Sequence, residues 1–278
     1  AEVFPGSSLP NAMVQVSPVT KFHSGAGYQY EDSVIYGFTH TNKGHWNLCH
    51  IPLLPVTGTP TPGDYCSPFS HERESAAPGY YQVFLDRYGV DAQLSSTLRC
   101  AFHKYTYPAG AAPAVLADLQ RSNEHVRAWD IRKEGDNVFA GWQQTGEKMY
   151  FYAVANRPVT GIEPVVEGDR EVRIVRFGEG DGALELRIGF SFVSEKNARE
   201  NLEAEMLGKS FAEVRSEATA TWNDLLGRIR VEGGTEREKG LFYSSLYRSF
   251  LWPALRSDVN GEFTDVDGKV INPGFRYY

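Results

Sequence analysis

The sequence predicts a mainly β protein: a large antiparallel β-sandwich followed by linker helices that begin a truncated α-helical domain. Two observations carry this. Apolar residues alternate with period two before residue 194 and recur with period 3.6 after it. Charge changes at the same place, with five charged residues in 1–60 and eighteen in 195–240. A run of strands followed by a run of helices indicates α+β architecture or two domains.

The clearest strand is 183–193, where Leu184, Leu186, Ile188, Phe190 and Phe192 alternate with Glu185, Arg187, Gly189 and Ser191, as on a half-buried strand. Similar segments predict strands near 12–17, 33–40, 49–56, 79–86, 92–107, 114–119, 125–131, 136–142, 147–155 and 170–177, separated by Pro/Gly turns such as TGTPTPGD and EGDG. Ala198, Leu202 and Met206 then fall on one face of a first helix, and Phe211, Val214, Ala218, Trp222 and Leu225 on one face of a second. A third helix starts at Thr235, whose hydroxyl can cap the N3 amide while Glu238 reaches back. It directs Phe242, Leu246 and Phe250 inward and stops before Pro253. The predicted organisation is a sandwich over 1–193, a helical linker over 194–234 and the incomplete start of a helical domain over 235–278.

Composition excludes several classes. A net charge of −7 disfavours nucleic acid, which is held by Lys and Arg neutralising phosphates. No run reaches the roughly 18–20 apolar residues of a membrane span, and the N-terminus lacks a basic segment followed by an apolar one, so any secretory signal is expected to be already removed or never present. Cys49, Cys66 and Cys100 match no CxxC motif, allow at most one disulfide, and read as buried free thiols. They fit a periplasmic or secreted location and a cytosolic one equally.

Candidate site residues lie early. All seven histidines precede residue 126, and His40-Thr-Asn-Lys-Gly-His45-Trp-Asn-Leu-Cys-His50 gathers three of them with Asn42, Lys43, Trp46 and Asn47 between two strands. A flat aromatic, two amides and imidazoles on a loop can stack on a sugar face and hydrogen-bond its hydroxyls. The same composition also describes an ordinary packed loop. The spacing of five between these histidines and the lack of an adjacent acid argue against a metal there. Residues 258–268 lack the phase of a calcium loop and read as a hairpin with Asn260-Gly261 and Asp267-Gly268 turns. No GxSxG, Walker or HExxH motif occurs.

A series of motifs adds to this reading. Phe4-Pro-Gly6, Met13-Val-Gln-Val-Ser-Pro18, Gly27-Tyr28, Gly37-Phe-Thr-His40-Thr, Leu53-Leu-Pro55, Ser70-His71-Glu72, Pro78-Gly-Tyr-Tyr81, Phe102-His103, Phe190-Ser-Phe-Val-Ser194 and Asn201-Leu-Glu-Ala-Glu205 resemble the N-terminal part of glycoside hydrolase family 92. Phe242-Tyr-Ser-Ser-Leu-Tyr-Arg248, Ser257-Asp-Val-Asn-Gly-Glu-Phe263 and Asp267-Gly268 are similar to the start of that family's helical domain. The resemblance runs in order along nearly the whole chain.

The resemblance implies a calcium-dependent, inverting exo-α-mannosidase with a β-sandwich packed on an (α/α)6 barrel and an α-mannoside glycan as substrate. It places both catalytic carboxylates, the calcium ligands and a mannose-contacting Trp-Asp pair beyond Tyr278. It thus implies that this chain alone is inactive, with the helical domain of the same polypeptide as its partner. The resemblance also assigns substrate binding to the loop residues His40, Asn42, Lys43, His45, Trp46 and Asn47. Many members carry a Ser-Gly-rich stretch where this chain has Asn42-Lys-Gly-His-Trp-Asn47, and Phe-Gly where it has Asn11-Ala12, which leaves linkage preference open. The alternative is a non-catalytic carbohydrate-binding or interaction module.

Overall fold

The computed structural model describes residues 3–44 and 46–278. Period-two segments pair into two antiparallel sheets. One has eight strands in the spatial order Ala128–Gly135, Val138–Gln144, Lys148–Ala155, Leu184–Ser191, Cys100–Thr106, Val90–Ser96, Tyr80–Leu85, Glu74–Ala77. The other has seven, ordered Ser7–Ser8, Gln15–Val19, Gly37–Thr39, Leu53–Val56, Ala114–Ala117, Arg170–Phe177, Val159–Glu167. Their facing side chains, among them Phe38, Leu54, Tyr105, Phe139, Phe151 and Ile188, form one buried cluster. Leu184, Leu186, Ile188 and Phe190 are all fully buried, as the alternation predicts.

Strand Leu184–Ser191 lies central in its sheet, and its second face is covered as well. Helix α1 (Glu195–Glu205) is capped by the Ser194 hydroxyl, which accepts from the Asn197 amide, and folds straight back over this strand. The approach is close enough that a Cβ on Gly189 would lie 2.1 Å from the Ala198 carbonyl oxygen. Glycine is therefore required there, because the helix backbone occupies the space a side chain would fill. Ala198, Leu202 and Met206 are buried beneath α1.

Helix α2 (Phe211–Leu226) starts with a capping box between Ser210 and Glu213 and buries Phe211, Val214, Ala218 and Trp222. The Trp222 indole N–H donates to the Ser8 carbonyl at 2.7 Å, so the helix is tied to the first strand of the seven-stranded sheet. Helix α3 (Glu236–Ser249) carries the predicted Thr235–Glu238 capping box. It buries no residue fully: Phe242 is exposed, and Leu246 and Phe250 are half-buried. Tyr247 rather than Phe242 makes the main contact, with its ring 4.5 Å from that of Trp222.

Segment 92–107 is two strands, Val90–Ser96 and Cys100–Thr106, joined in a hairpin at Thr97. Strand Val159–Glu167 was not expected; it is an edge strand with several exposed residues, so it lacks strict alternation. Segment 33–40 splits, with Val34–Ile35 pairing to Ser67–Pro68 and Gly37–Thr39 joining the seven-stranded sheet. Residues Phe263–Thr264 and Val270–Ile271 form the expected small hairpin, with Gly268 at positive φ. All three cysteines are free; Cys49 and Cys100 are buried.

Buried polar contacts fasten the tail to the sandwich. Asp258 accepts hydrogen bonds from the Ser191 hydroxyl and from the side-chain amides of Asn197 and Asn201, at 2.6–2.8 Å. Asn197 and Asn201 are one turn apart on α1 and so share a face. Arg99 donates to the Ser257 carbonyl and pairs with Glu205, whose second oxygen accepts from the Thr97 hydroxyl and the Arg99 amide.

Candidate functional site

Between strands Gly37–Thr39 and Leu53–Val56 the chain leaves the sheet in a small hairpin, Asn42–Lys43 paired with Trp46–Asn47. Gly44 at φ 60° supplies the left-handed turn. Inter-residue hydrogen bonds fix both legs. The Leu48 amide donates to the Thr41 carbonyl and the Asn47 amide to Gly25. Asn123 donates through its side chain to the Asn47 carbonyl at 2.6 Å.

A cavity of about 220 Å³ lies where this hairpin meets the segment after α3; Thr41, Asn42 and Lys43 line one side, and Trp252, Arg256 and Tyr278 the other. Asn42 is 4% exposed, and among the described residues neither its amide nitrogen nor its oxygen has a hydrogen-bond partner. A buried amide without partners is costly unless something in the cavity completes it. The cavity is also charged: Lys43 is exposed, and Arg256 pairs with Glu147 at 2.7 Å while covering the Phe192 ring. A larger cavity of about 400 Å³ between Val3–Pro5 and α3 is mainly apolar, and none of its lining residues carries an unpartnered buried polar atom. The cavity beside Asn42 is therefore the better candidate for binding a polar ligand.

Of the residues expected here, Asn42 and Lys43 line the cavity, whereas Trp46 stands 49% exposed on the other leg, outside that lining. Asn47 is fully buried and committed to the hairpin itself, its amide donating to the Thr39 hydroxyl and its oxygen accepting from the Cys49 amide. His40 is also fully buried and shares a 3.0 Å Nε2–Nε2 hydrogen bond with His103, whose Nδ1 meets the Tyr105 hydroxyl at 2.6 Å. Burial pushes His40 down to about 3 and His103 well below the usual histidine range, so both imidazoles are neutral. His45 lies outside the described residues.

Sequence reasoning missed the side chains behind the hairpin. His50, 3% exposed, joins the Thr41 hydroxyl through Nδ1 at 2.8 Å and the Glu124 carboxylate through Nε2 at 3.0 Å. The Thr145 hydroxyl donates to the same carboxylate oxygen at 2.7 Å. The hydrogen bond to His50, ahead of that to Thr145, holds the Glu124 carboxyl at about 2. Cys49 and Ile51, on either side of His50, have φ 54° and 52°. Non-glycine residues in this region cost on the order of 1–3 kcal/mol each and persist only where the surroundings over-determine them. Here the Cys49 amide is held by Asn47 and the Ile51 amide by Gln143 at 2.8 Å.

Among the described residues no three His, Cys, Asp or Glu side chains converge as a metal site. What the cavity does offer is an unpaired amide, an ammonium and an aromatic wall, a set suited to the hydroxyls and apolar face of a sugar.

The chain belongs to glycosyl hydrolase family 92: the family's N-terminal domain matches residues 1–202 and its catalytic domain begins to match over 197–278. A family 92 α-mannosidase from Bacteroides thetaiotaomicron superposes with a TM-score of 0.92 at 25% identity, covering 100% of this chain and 43% of that one. The same enzyme in complex with mannoimidazole superposes with a TM-score of 0.91 at 26% identity, covering 100% and 42%. An uncharacterized secreted glycosidase of Arthroderma benhamiae is 25% identical over 93% of this chain and 40% of its own length. The chain thus spans about two fifths of the proteins it matches.

Proposed function

We propose that this chain is the N-terminal portion of an inverting, calcium-dependent exo-α-mannosidase acting on α-mannosides of glycans. The observation that carries the reading is the superposition of the whole chain, with a TM-score of 0.92, on an α-mannosidase of the same family. In this reading residues 1–193 are the sandwich, 194–234 a helical linker and 235–278 the start of the catalytic helical domain. The catalytic acid, the base and the calcium ligands come from the remainder of that domain, as the sequence resemblance implies. Calcium would supply electrophilic assistance there, and no step is assigned to it in this chain.

The sandwich's part is binding. Asn42 and Lys43 face the cavity at the junction with the helical segment, where a bound sugar would satisfy the Asn42 amide, and Trp46 stands exposed on the other leg of the same hairpin. Inversion requires a general acid on the leaving oxygen and a general base across the ring, with carboxyl groups roughly 6.5–9.5 Å apart. A hairpin that fixes the sugar between them contributes by orientation. The secreted relative supports a periplasmic or secreted location.

The test compares the 278-residue chain with a polypeptide extended through the helical domain for mannose release from an α-mannobiose, with calcium and with a chelator. Release by the extended protein alone, lost on chelation, is the expected result. Hydrolysis by the short chain would place the carboxylates within it, and no hydrolysis by either would favour the carbohydrate-binding module.

A further inference from the structure

The Asn42 side-chain amide reaches the cavity with no partner of its own, while its backbone pairs with Asn47 across the hairpin. The residue before it is tied down from the sandwich side. Thr41 is 2% exposed and lines the same cavity, and its hydroxyl is bound to His50 Nδ1. His50 is bound in turn to Glu124, a residue 74 positions away, and Glu124 is bound to Thr145 just after strand Val138–Gln144 of the eight-stranded sheet. The series therefore runs from the sandwich frame to the residue before Asn42.

We propose that Glu124, His50 and Thr41 form a positioning relay that holds Asn42 in register for hydrogen bonding to a sugar hydroxyl. The chemistry sets the direction of the bond to Glu124. Ionised Glu124 can only accept, so His50 Nε2–H donates to it, and the other ring nitrogen, Nδ1, meets the Thr41 hydroxyl at 2.8 Å. That bond fixes the threonine rotamer. Both neighbours of His50 have positive φ. Cys49 and Ile51, both buried and both at positive φ, are where that conformational strain is held. An ordinary loop would relax those two residues; their retention beside the relay fits a geometry kept for the site.

His50 and Glu124 do not border the cavity and Thr41 acts through Asn42, so all three are positioning residues. The inference rests on the hairpin being part of the sugar pocket, and the experiment separates the two ideas. Thr41→Val, Thr41→Ser, Glu124→Gln, Asn42→Ala and Trp46→Ala are made in the extended enzyme, and kcat, KM for an α-mannobiose and Tm are measured for each. Asn42→Ala and Trp46→Ala test the pocket: a KM raised by about ten-fold in either supports it, and unchanged kinetics in both sinks that reading. The relay predicts that Thr41→Val raises KM by about ten-fold with kcat within about two-fold, and that Thr41→Ser, which restores the hydroxyl, returns KM to near the parent value. Glu124→Gln, isosteric and half-exposed, is the second probe should Thr41→Val not fold, with KM raised about three-fold. If Asn42→Ala raises KM while Thr41→Val and Glu124→Gln lower Tm but leave KM within two-fold, the trio only stabilises the fold and the relay is wrong.

Discussion

Replacing Arg99 by methionine should destabilise the protein more than any other single charge removal described above. The guanidinium is 6% exposed and makes a 2.6 Å ion pair with Glu205, itself 13% exposed, while Nε–H donates to the Ser257 carbonyl at 2.8 Å. Methionine fills much of the same volume and removes every donor. It leaves Glu205 charged in a nearly dry site, and breaking a buried pair from one side costs about 3–5 kcal/mol. Glu205 keeps the Thr97 hydroxyl and the Arg99 amide as donors, which places the expected loss near the lower limit, about 3 kcal/mol. At roughly 2–4 °C per kcal/mol for a domain of this size, Tm should fall by about 6–12 °C. Thermal unfolding followed by circular dichroism measures this. The double variant Arg99→Met/Glu205→Met should recover part of the loss, because the uncompensated charge is gone. A Tm within about 2 °C of the parent for Arg99→Met, or a double variant as unstable as the sum of both singles, would refute the assignment of this pair as the clasp between α1 and the tail.

Gly189→Ala should be nearly as disruptive, since its Cβ meets the Ala198 carbonyl oxygen and Leu202; a loss of about 1–3 kcal/mol is expected in urea unfolding, and an unchanged midpoint would mean α1 sits further from the sheet. Glu124 is held at about 2 against an ordinary 4.5, so its share of stability is present above pH 4.5 and is lost as pH falls from 4.5 towards 2. Unfolding midpoints of Glu124→Gln should therefore fall less steeply across that window than those of the parent; parallel curves would dissolve the His50–Glu124 pairing. Thiol titration should find Cys66 reactive in the native state and all three thiols in denaturant, because burial pushes Cys49 up to about 12 and Cys100 well above the ordinary thiol range, while Cys66 is only half-buried. Three native-state thiols reacting at one rate would contradict the packing.

Alternation records burial of one face directly, so the inward set Leu184, Leu186, Ile188 and Phe190 was legible, whereas the burial of Gly189 and Ser191 on the opposite face, under α1, was not. Helix α2 and the Thr235–Glu238 capping box were legible because face and cap are local, whereas the Ser210–Glu213 box at the start of α2 came only with the structure. Strand Val159–Glu167 was not, because an edge strand with Glu163, Pro164 and Glu167 exposed has no alternation to read. Within the site, the segment carrying Asn42 and Lys43 was visible as a cluster of polar and aromatic residues. Pattern could not show that His40 turns into the core to meet His103, or that His50 turns back to meet Glu124, because each partner is more than sixty residues distant. Cys49 and Ile51 carry no sign of their positive φ, which is imposed by Asn47 and Gln143.

The measurement that tests the account most directly is the anomeric proton NMR spectrum of mannose as it is first released from an α-mannobiose by the extended enzyme, before mutarotation equilibrates the anomers. An inverting α-mannosidase gives β-mannose first, with the α signal growing only later, and a chelator abolishes the release. Initial appearance of α-mannose would contradict inversion, and release that persists undiminished in chelator would contradict the dependence on calcium.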